Sequence, residues 1–186
     1  MTRKYESDLE LHNKILKGVT VLADNVASTL GPRGRNVIIR QKGKRPIVTK
    51  DGVTVAKFIE LEDPFEDVGA QIIKQAAAKT NAEAGDGTTT STVLARATLE
   101  KAQKYLIAGA PPVELKRGMD KAVSAIVKNL KELSTPIMSQ DDIAHIATIS
   151  ANGDETIGSL IATAVDLVGQ DGSITIEEGR SVETSL

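Results

Sequence analysis

Cysteine is absent from the 186 residues. That excludes disulfides, thiolate catalysis and cysteine-bound metal centres, and it is compatible with a reducing compartment. Tryptophan is absent too, and aromatic residues make up 2% of the chain, too few for the stacking platforms that single-stranded nucleic acids need. Histidine occurs only as His12 and His145, far apart on helical stretches, so no His-Ser-Asp or His-Cys set can be assembled. A formal net charge of -2 sets up no global field toward nucleic acid or anionic lipid. No apolar run approaches the roughly 18 residues of a membrane span. Met1 to Glu10 is charged and lacks an apolar core, so it does not read as a signal peptide. Neither a nucleic-acid partner nor a membrane partner is expected.

What is present is a globular balance, 40% hydrophobic and 26% charged, enough for one large domain or two small ones. A core of Val, Ile, Leu and Ala suits packed helices. The organising stretch is Gly85 to Thr92, Gly-Asp-Gly-Thr-Thr-Thr-Ser-Thr. Val68, Ile72, Ile73, Ala76 and Ala77 precede it at helical spacing, and Val93, Leu94 and Ala97 follow it, so it reads as a tight turn that opens a helix. Glycines on either side of Asp86 free the backbone to turn and to approach a ligand. The threonines fall where helix N–H groups are unpaired and the dipole is positive, a place suited to an anion. Phosphate oxygens are natural acceptors for their hydroxyls. Asp86, one step outside, is placed to hold magnesium, which takes one or two carboxylates plus phosphate oxygens. The same residues are also ordinary turn and N-cap chemistry, so the octapeptide leaves both readings open.

Along the chain, Leu11, Ile15, Leu16, Val19, Leu22, Ala23, Val26 and Leu30 form one apolar stripe, predicting a helix from about Ser7 to Thr29 that Gly31-Pro32 stops. Asn36 to Arg40 and Ile47 to Thr49 read as a β-hairpin whose tip carries Lys42, Lys44 and Arg45. A short helix should follow Lys50-Asp51-Gly52, and Pro64 should start the helix that leads to Asp86. The helix after the threonines should reach about Ala108. Leu115, Met119, Ala122, Val123, Ile126, Val127, Leu130 and Leu133 mark the clearest helix of all. After a boundary at Ser134-Thr135-Pro136, Asp141–Ser150 and Glu155–Val168 read as two shorter helices. Ser173–Glu177 reads as a strand with no evident partner in the chain, which implies pairing from elsewhere.

Other motifs fail on inspection. No Walker-A pattern occurs, and Gly31-Pro32-Arg33-Gly34 does not follow a strand, so it is not a dinucleotide fingerprint. A calcium loop ending at Glu178 would place Leu167 and Gly169 at ligand positions, which rules it out. The run Glu60, Glu62, Asp63, Glu66 and Asp67 reads as a solvated surface, and the hairpin tip as a solvated loop that blunts an edge strand.

Thr29-Leu30-Gly31-Pro32-Arg33-Gly34-Arg35-Asn36-Val37, Thr49-Lys50-Asp51-Gly52-Val53, Glu60-Leu61-Glu62-Asp63, Gly69-Ala70-Gln71, Ala84-Gly85-Asp86-Gly87-Thr88-Thr89-Thr90, Leu115-Lys116-Arg117-Gly118 and Ile149-Ser150-Ala151-Asn152 closely resemble, in order and spacing, the GroEL-type (group I) chaperonin large subunit. The resemblance runs from about Tyr5 to Glu178. It implies a mainly α, multihelical fold with a small β-hairpin, residues 1–134 being the N-terminal half of an ATP-binding equatorial domain. Residues 135–186 are then the first half of an intermediate, hinge-like α+β domain. The family's subunit is much longer, so the apical domain and the returning halves are expected outside this chain, together with the aspartate that activates the attacking water.

By similarity, Thr29, Leu30, Gly31 and Pro32 line the nucleotide pocket. Lys50 and Asp51 lie by the phosphates, Asp51 in a supporting catalytic place. Asp86 holds Mg²⁺, and Gly87, Thr88, Thr89 and Thr90 wrap the phosphates. Ile149 and Ser150 approach from the hinge side, and K⁺ lies near Thr29, Lys50 and Thr89. The resemblance implies an ATP-hydrolysing folding machine, a homo-oligomeric ring, stacked on another in the full-length protein, in which the hairpin pairs with a neighbour's termini. Cochaperonin and unfolded clients would be held by a region outside the chain. The implied location is cytoplasmic, in a bacterial, virus-encoded or organellar-matrix setting. A nucleotide-binding or assembly module without hydrolysis is the alternative. An unrelated small ATPase would need a general base and substrate pocket, and none is found.

Overall fold

The chain is mainly helical in a computed structural model that describes residues 7–41, 43–169 and 172–177. It divides into two units, residues 1–120 and 121–186.

The first unit opens with α1 (Asp8–Ala27). Its stripe does what its period requires: Val19, Leu22, Ala23 and Val26 are buried, while Leu30, beyond the helix end, is half exposed. A two-stranded antiparallel hairpin follows, β1 (Val37–Ile39) and β2 (Ile47–Thr49), with Ile38 opposite Val48. Val37 and Ile39 pack on the helical core, while Ile38 and Val48 face outward, the alternation that a pleated strand imposes.

Asp51 caps α2 (Gly52–Phe58), and Asp63 caps α3 (Pro64–Ala84) through the N–H groups of Phe65 and Glu66. Pro64 at the first helical position needs no partner for a missing N–H. Helices α1 and α3 cross backbone to backbone, because each contributes a glycine at the crossing. A Cβ on Gly18 would lie 1.7 Å from the Glu66 carbonyl oxygen, and one on Gly69 would lie 2.1 Å from that of Ile15. Val55, Ala56, Ala70 and Ile73 close the core against α1.

The acidic run differs from its reading as solvated surface. Only Glu60 and Glu62 are exposed. Asp63 caps α3 and pairs with Lys14 at 3.3 Å, Glu66 pairs with Lys17, and Asp67 accepts the Leu61 N–H. A charge run beside a helix start is recruited there to satisfy orphan N–H groups.

After α4 (Thr88–Ile107) comes α5 (Pro112–Leu133). Its stripe is the cleanest in the chain, yet no residue of α5 is buried. Val123, Ile126 and Leu130 are each more than half exposed. Periodicity establishes that a face is apolar, not that anything covers it. The division between the two units falls inside this helix.

In the second unit, α6 (Gln140–Ser150) starts with a capping box between Ser139 and Asp142, and Asp154 caps α7 (Glu155–Val168). The two helices pack closely where Gly158 meets Thr148 and the Ala144 carbonyl. Residues 172–177, which include the expected strand Ser173–Glu177, are not in a strand. Strand geometry persists only with a ladder partner, and the described residues supply none. Among the described residues, no helix is long and apolar enough to cross a membrane.

Candidate functional site

The turn between α3 and α4 is built on two left-handed glycines. Gly85 (φ 73°) ends α3 and Gly87 (φ 85°) precedes α4. Any other residue would be strained at either position. Between them stands Asp86, exposed, with Oδ1 accepting the Gly87 N–H at 2.6 Å. Its Oδ2 makes no hydrogen bond among the described residues.

The first turn of α4 separates its hydroxyls into two classes. Ser91 and Thr92 donate to the Thr88 carbonyl, each at 2.9 Å, and Thr92 is fully buried. They serve the helix itself. Thr88, Thr89 and Thr90 make no side-chain hydrogen bond among the described residues. Nor do their backbone N–H groups, since the first paired one in α4 is that of Ser91, to the Gly87 carbonyl at 2.9 Å. Three hydroxyls and three N–H groups at the positive end of a 20-residue helix are thus uncommitted. Thr88 is buried, Thr89 half-buried and Thr90 exposed.

Two further segments meet this helix end. Thr29 stands just beyond α1, its Oγ1 donating to the Val26 carbonyl at 2.7 Å. Leu30, Gly31 (φ 71°) and Pro32 continue the turn, which closes as the Gly34 N–H reaches the Gly31 carbonyl at 2.9 Å. Gly52 opens α2. A Cβ on Gly52 would fall 2.2 Å from Thr89 Oγ1, 3.2 Å from Val26 Cγ1 and 3.4 Å from Thr29 Oγ1. So Thr29, Gly52 and Thr89, from three separate stretches of sequence, share one point.

Lys50, next to this point, is exposed. Asp51 is occupied as a cap: Oδ1 accepts the Val53 N–H at 3.1 Å, and Oδ2 accepts the Thr54 N–H at 2.9 Å and the Thr54 hydroxyl at 2.6 Å. Partial burial raises its pKa. The Thr54 hydroxyl, the N–H groups of Thr54 and Val53, and the Lys57 charge together outweigh that and hold the carboxyl below its ordinary value.

Ile149 and Ser150 end α6 in the second unit, both exposed, and lead into a turn in which Asn152 adopts a left-handed φ of 58°. Gly52 and Thr92 were not among the residues picked out from sequence. Gly52 lies inside the quoted Thr49–Val53 motif, so a signal for it was present. Thr92 looked like one more member of a hydroxyl run, and only its burial and its bond to Thr88 set it apart.

An apolar groove of about 400 Å³, lined by Leu94, Ala97, Tyr105, Leu115 and Met119 among others, shares no residue with this constellation. Among the described residues no cluster of three metal-ligating side chains occurs. A cation at Asp86 would therefore complete its shell with ligand and water oxygens, the manner in which magnesium is held beside phosphates.

Residues 22–185 match the TCP-1/cpn60 chaperonin family. Among solved structures, a group III chaperonin in the open state superposes with a TM-score of 0.73 at 26% identity over 85% of this chain and 32% of its own. The chaperonin gp146 of bacteriophage EL 2 (Pseudomonas aeruginosa), determined in the presence of ATP-BeFx, superposes with a TM-score of 0.69 at 29% identity, over 84% of this chain and 28% of its own. The chain thus spans about a third of the length of these relatives.

Proposed function

This chain belongs to the TCP-1/cpn60 chaperonin family, and from that membership we propose that it is the nucleotide-binding part of an ATP-driven folding machine. The observation that carries the reading is the set of uncommitted N–H groups and hydroxyls of Thr88, Thr89 and Thr90, with the Thr89 hydroxyl at the point shared by Thr29 and Gly52. Phosphate oxygens satisfy both kinds of donor at once, and the helix dipole favours their charge. The phage chaperonin, whose structure was determined in the presence of ATP-BeFx, supports the same ligand class.

Each residue then has a task. Thr88–Thr90 cradle the phosphates, and Gly87 brings the backbone close. Thr29, Leu30, Gly31 and Pro32 form the opposite wall, and Lys50 adds a positive charge. Asp86 holds magnesium through Oδ2, and the bound ion would neutralise phosphate charge in a reaction governed by positioning and electrostatics. The hydroxyl oxygens of Thr29 and Thr89, both near the position a Gly52 Cβ would take, suit a potassium ion, with Lys50 contributing beside them. Asp51 is a positioning residue: its carboxylate is engaged in capping α2, so water activation falls to a group outside these residues. Ile149 and Ser150 would close on the nucleotide when the hinge beyond Thr135 moves, transmitting ATP binding to a ring of subunits. In the whole protein, cochaperonin and clients bind elsewhere.

The Ile149–Asn152 motif and the overall motif spacing favour the GroEL-type branch, while the neighbours named above are group III and phage chaperonins. The engaged Asp51 favours a second reading, nucleotide binding without turnover, for residues 1–186 taken alone. Calorimetric titration of the whole protein with ATP and Mg²⁺ tests the proposal. Magnesium-dependent binding that is lost on Thr88→Ala/Thr89→Ala/Thr90→Ala substitution is expected. Unchanged affinity in that folded variant would refute the cradle.

A further inference from the structure

Arg96 lies two turns along α4 from the threonine cradle, on the face that carries Thr88, Thr89 and the fully buried Thr92. That face is set against α1. Its Nη1 binds Oδ1 of Asp24, which sits on α1 about a turn before Thr29. The pair therefore bridges the two helices whose ends meet at Gly52. Arg96 has a second carboxylate within reach, Glu100, 3.8 Å from Nε. Glu100 is on α4 itself and bridges nothing. Nε is buried and makes no hydrogen bond among the described residues, so the guanidinium is held in place chiefly by the link across to α1.

The distances at Gly52 show how little slack the site has. Thr89 Oγ1 and Thr29 Oγ1 both lie close to one glycine, at 2.2 Å and 3.4 Å from where its Cβ would be. A slide or rotation of α4 against α1 would separate these hydroxyls and turn the three uncommitted N–H groups away from them. Apolar packing beside Thr92 resists separation of the helices but is a weak guard against sliding, since dispersion and burial are not directional. A guanidinium–carboxylate contact is directional.

We propose that Arg96, through Asp24, is a positioning residue that sets the register of α4 against α1 and so the geometry of the phosphate cradle. The inference rests on the phosphate-binding reading of Thr88–Thr90. Arg96 itself touches no ligand. It acts by holding the helix that does.

The test exploits the two carboxylates. Asp24→Asn and Glu100→Gln each remove one negative charge beside the same guanidinium, and both positions are substantially exposed, at 62% and 44%, so both variants are expected to fold. The whole protein is titrated with Mg-ATP as wild type, D24N, E100Q, R96Q and the D24N/R96Q double variant, with circular dichroism and thermal midpoint recorded for each. Asp24→Asn is expected to weaken binding by about threefold to fivefold, and the double variant to weaken it no further than the worse single one. Glu100→Gln is expected to leave binding within about twofold of wild type. Equal effects of D24N and E100Q would reduce the contribution to general charge and overturn the positioning role. So would unchanged affinity in D24N. A wild type that binds no Mg-ATP would instead refute the phosphate reading itself. If R96Q does not fold, the contrast between D24N and E100Q decides alone.

Discussion

The α-carbon of Gly52 faces the hydroxyl of Thr89 so closely that a Cβ at position 52 would lie 2.2 Å from Thr89 Oγ1. No sequence-local rule places these residues together. One opens α2, the other is in the first turn of α4, and the contact exists because both helices pack on α1.

Gly52→Ala should therefore injure binding as well as stability. The new methyl displaces Thr89 by rotating its hydroxyl away, which costs about 1–3 kcal/mol of overpacking at most. The same rotation removes a donor from the cradle. A loss of Mg-ATP affinity of about tenfold or more is expected, with a charged-group hydrogen bond as the yardstick. Parallel calorimetry and thermal melts separate the two effects. An affinity equal to wild type would show that Thr89 Oγ1 takes no part.

Asp86→Ala should abolish magnesium-dependent nucleotide binding and, in the complete ring, ATP turnover. It should leave the melting temperature nearly unchanged, because Asp86 is exposed and, among the described residues, its one bond is to the adjacent Gly87 N–H. Titrating magnesium at fixed ATP is the direct measurement. Near-normal turnover would defeat the assignment.

Gly18→Ala and Gly69→Ala should destabilise the first unit without touching the site. Each Cβ would meet backbone, the Glu66 carbonyl oxygen at 1.7 Å and the Ile15 carbonyl oxygen at 2.1 Å, and backbone cannot rotate aside. A cost of about 2–3 kcal/mol is expected, read as a melting temperature lower by about 5–10 °C. An unshifted melt would mean that α1 and α3 do not cross here.

Acid should weaken the first unit through its capping carboxylates. Asp51 and Asp63 each have a pKa below the ordinary 3.8. For Asp63 the Phe65 N–H is the main cause, partly opposed by desolvation and helped by the Glu66 N–H and Lys14. A carboxyl whose folded pKa lies below its unfolded one stabilises the fold above the unfolded value. That contribution fades as pH falls through the folded value. Stability should thus be flat above about pH 5 and fall below about pH 4, where the unfolded chain takes up more protons. Asp51→Asn should flatten part of that fall. It should cost about 1 kcal/mol or less at neutral pH, since asparagine also caps. Denaturant melts across this range measure both.

Much of this was local and hence readable from the chain. The helices begin and end where Asp51, Asp63, Gly85 and Asp154 say they should, because capping is settled within a few residues. The two left-handed glycines around Asp86 follow from the turn itself. Val19, Leu22, Ala23 and Val26 of the α1 stripe are buried as its period implied.

What sequence could not decide was who covers whom. The α5 stripe obeys the same period as α1 yet stays exposed, since periodicity sorts residues onto faces and only tertiary partners bury them. Residues 173–177 alternate like a strand but are not in one, because a ladder needs a second backbone. Glu66 and Asp67, read as solvent-facing, are instead tied to Lys17 and to the Leu61 N–H. By itself the sequence determined helix positions, the phosphate-suited turn and its donors, all set by interactions within one or two turns. The tertiary structure alone decided that Thr29, Gly52 and Thr89 share a point, and that Arg96 reaches Asp24, because such contacts depend on how helices distant in sequence pack on a common core.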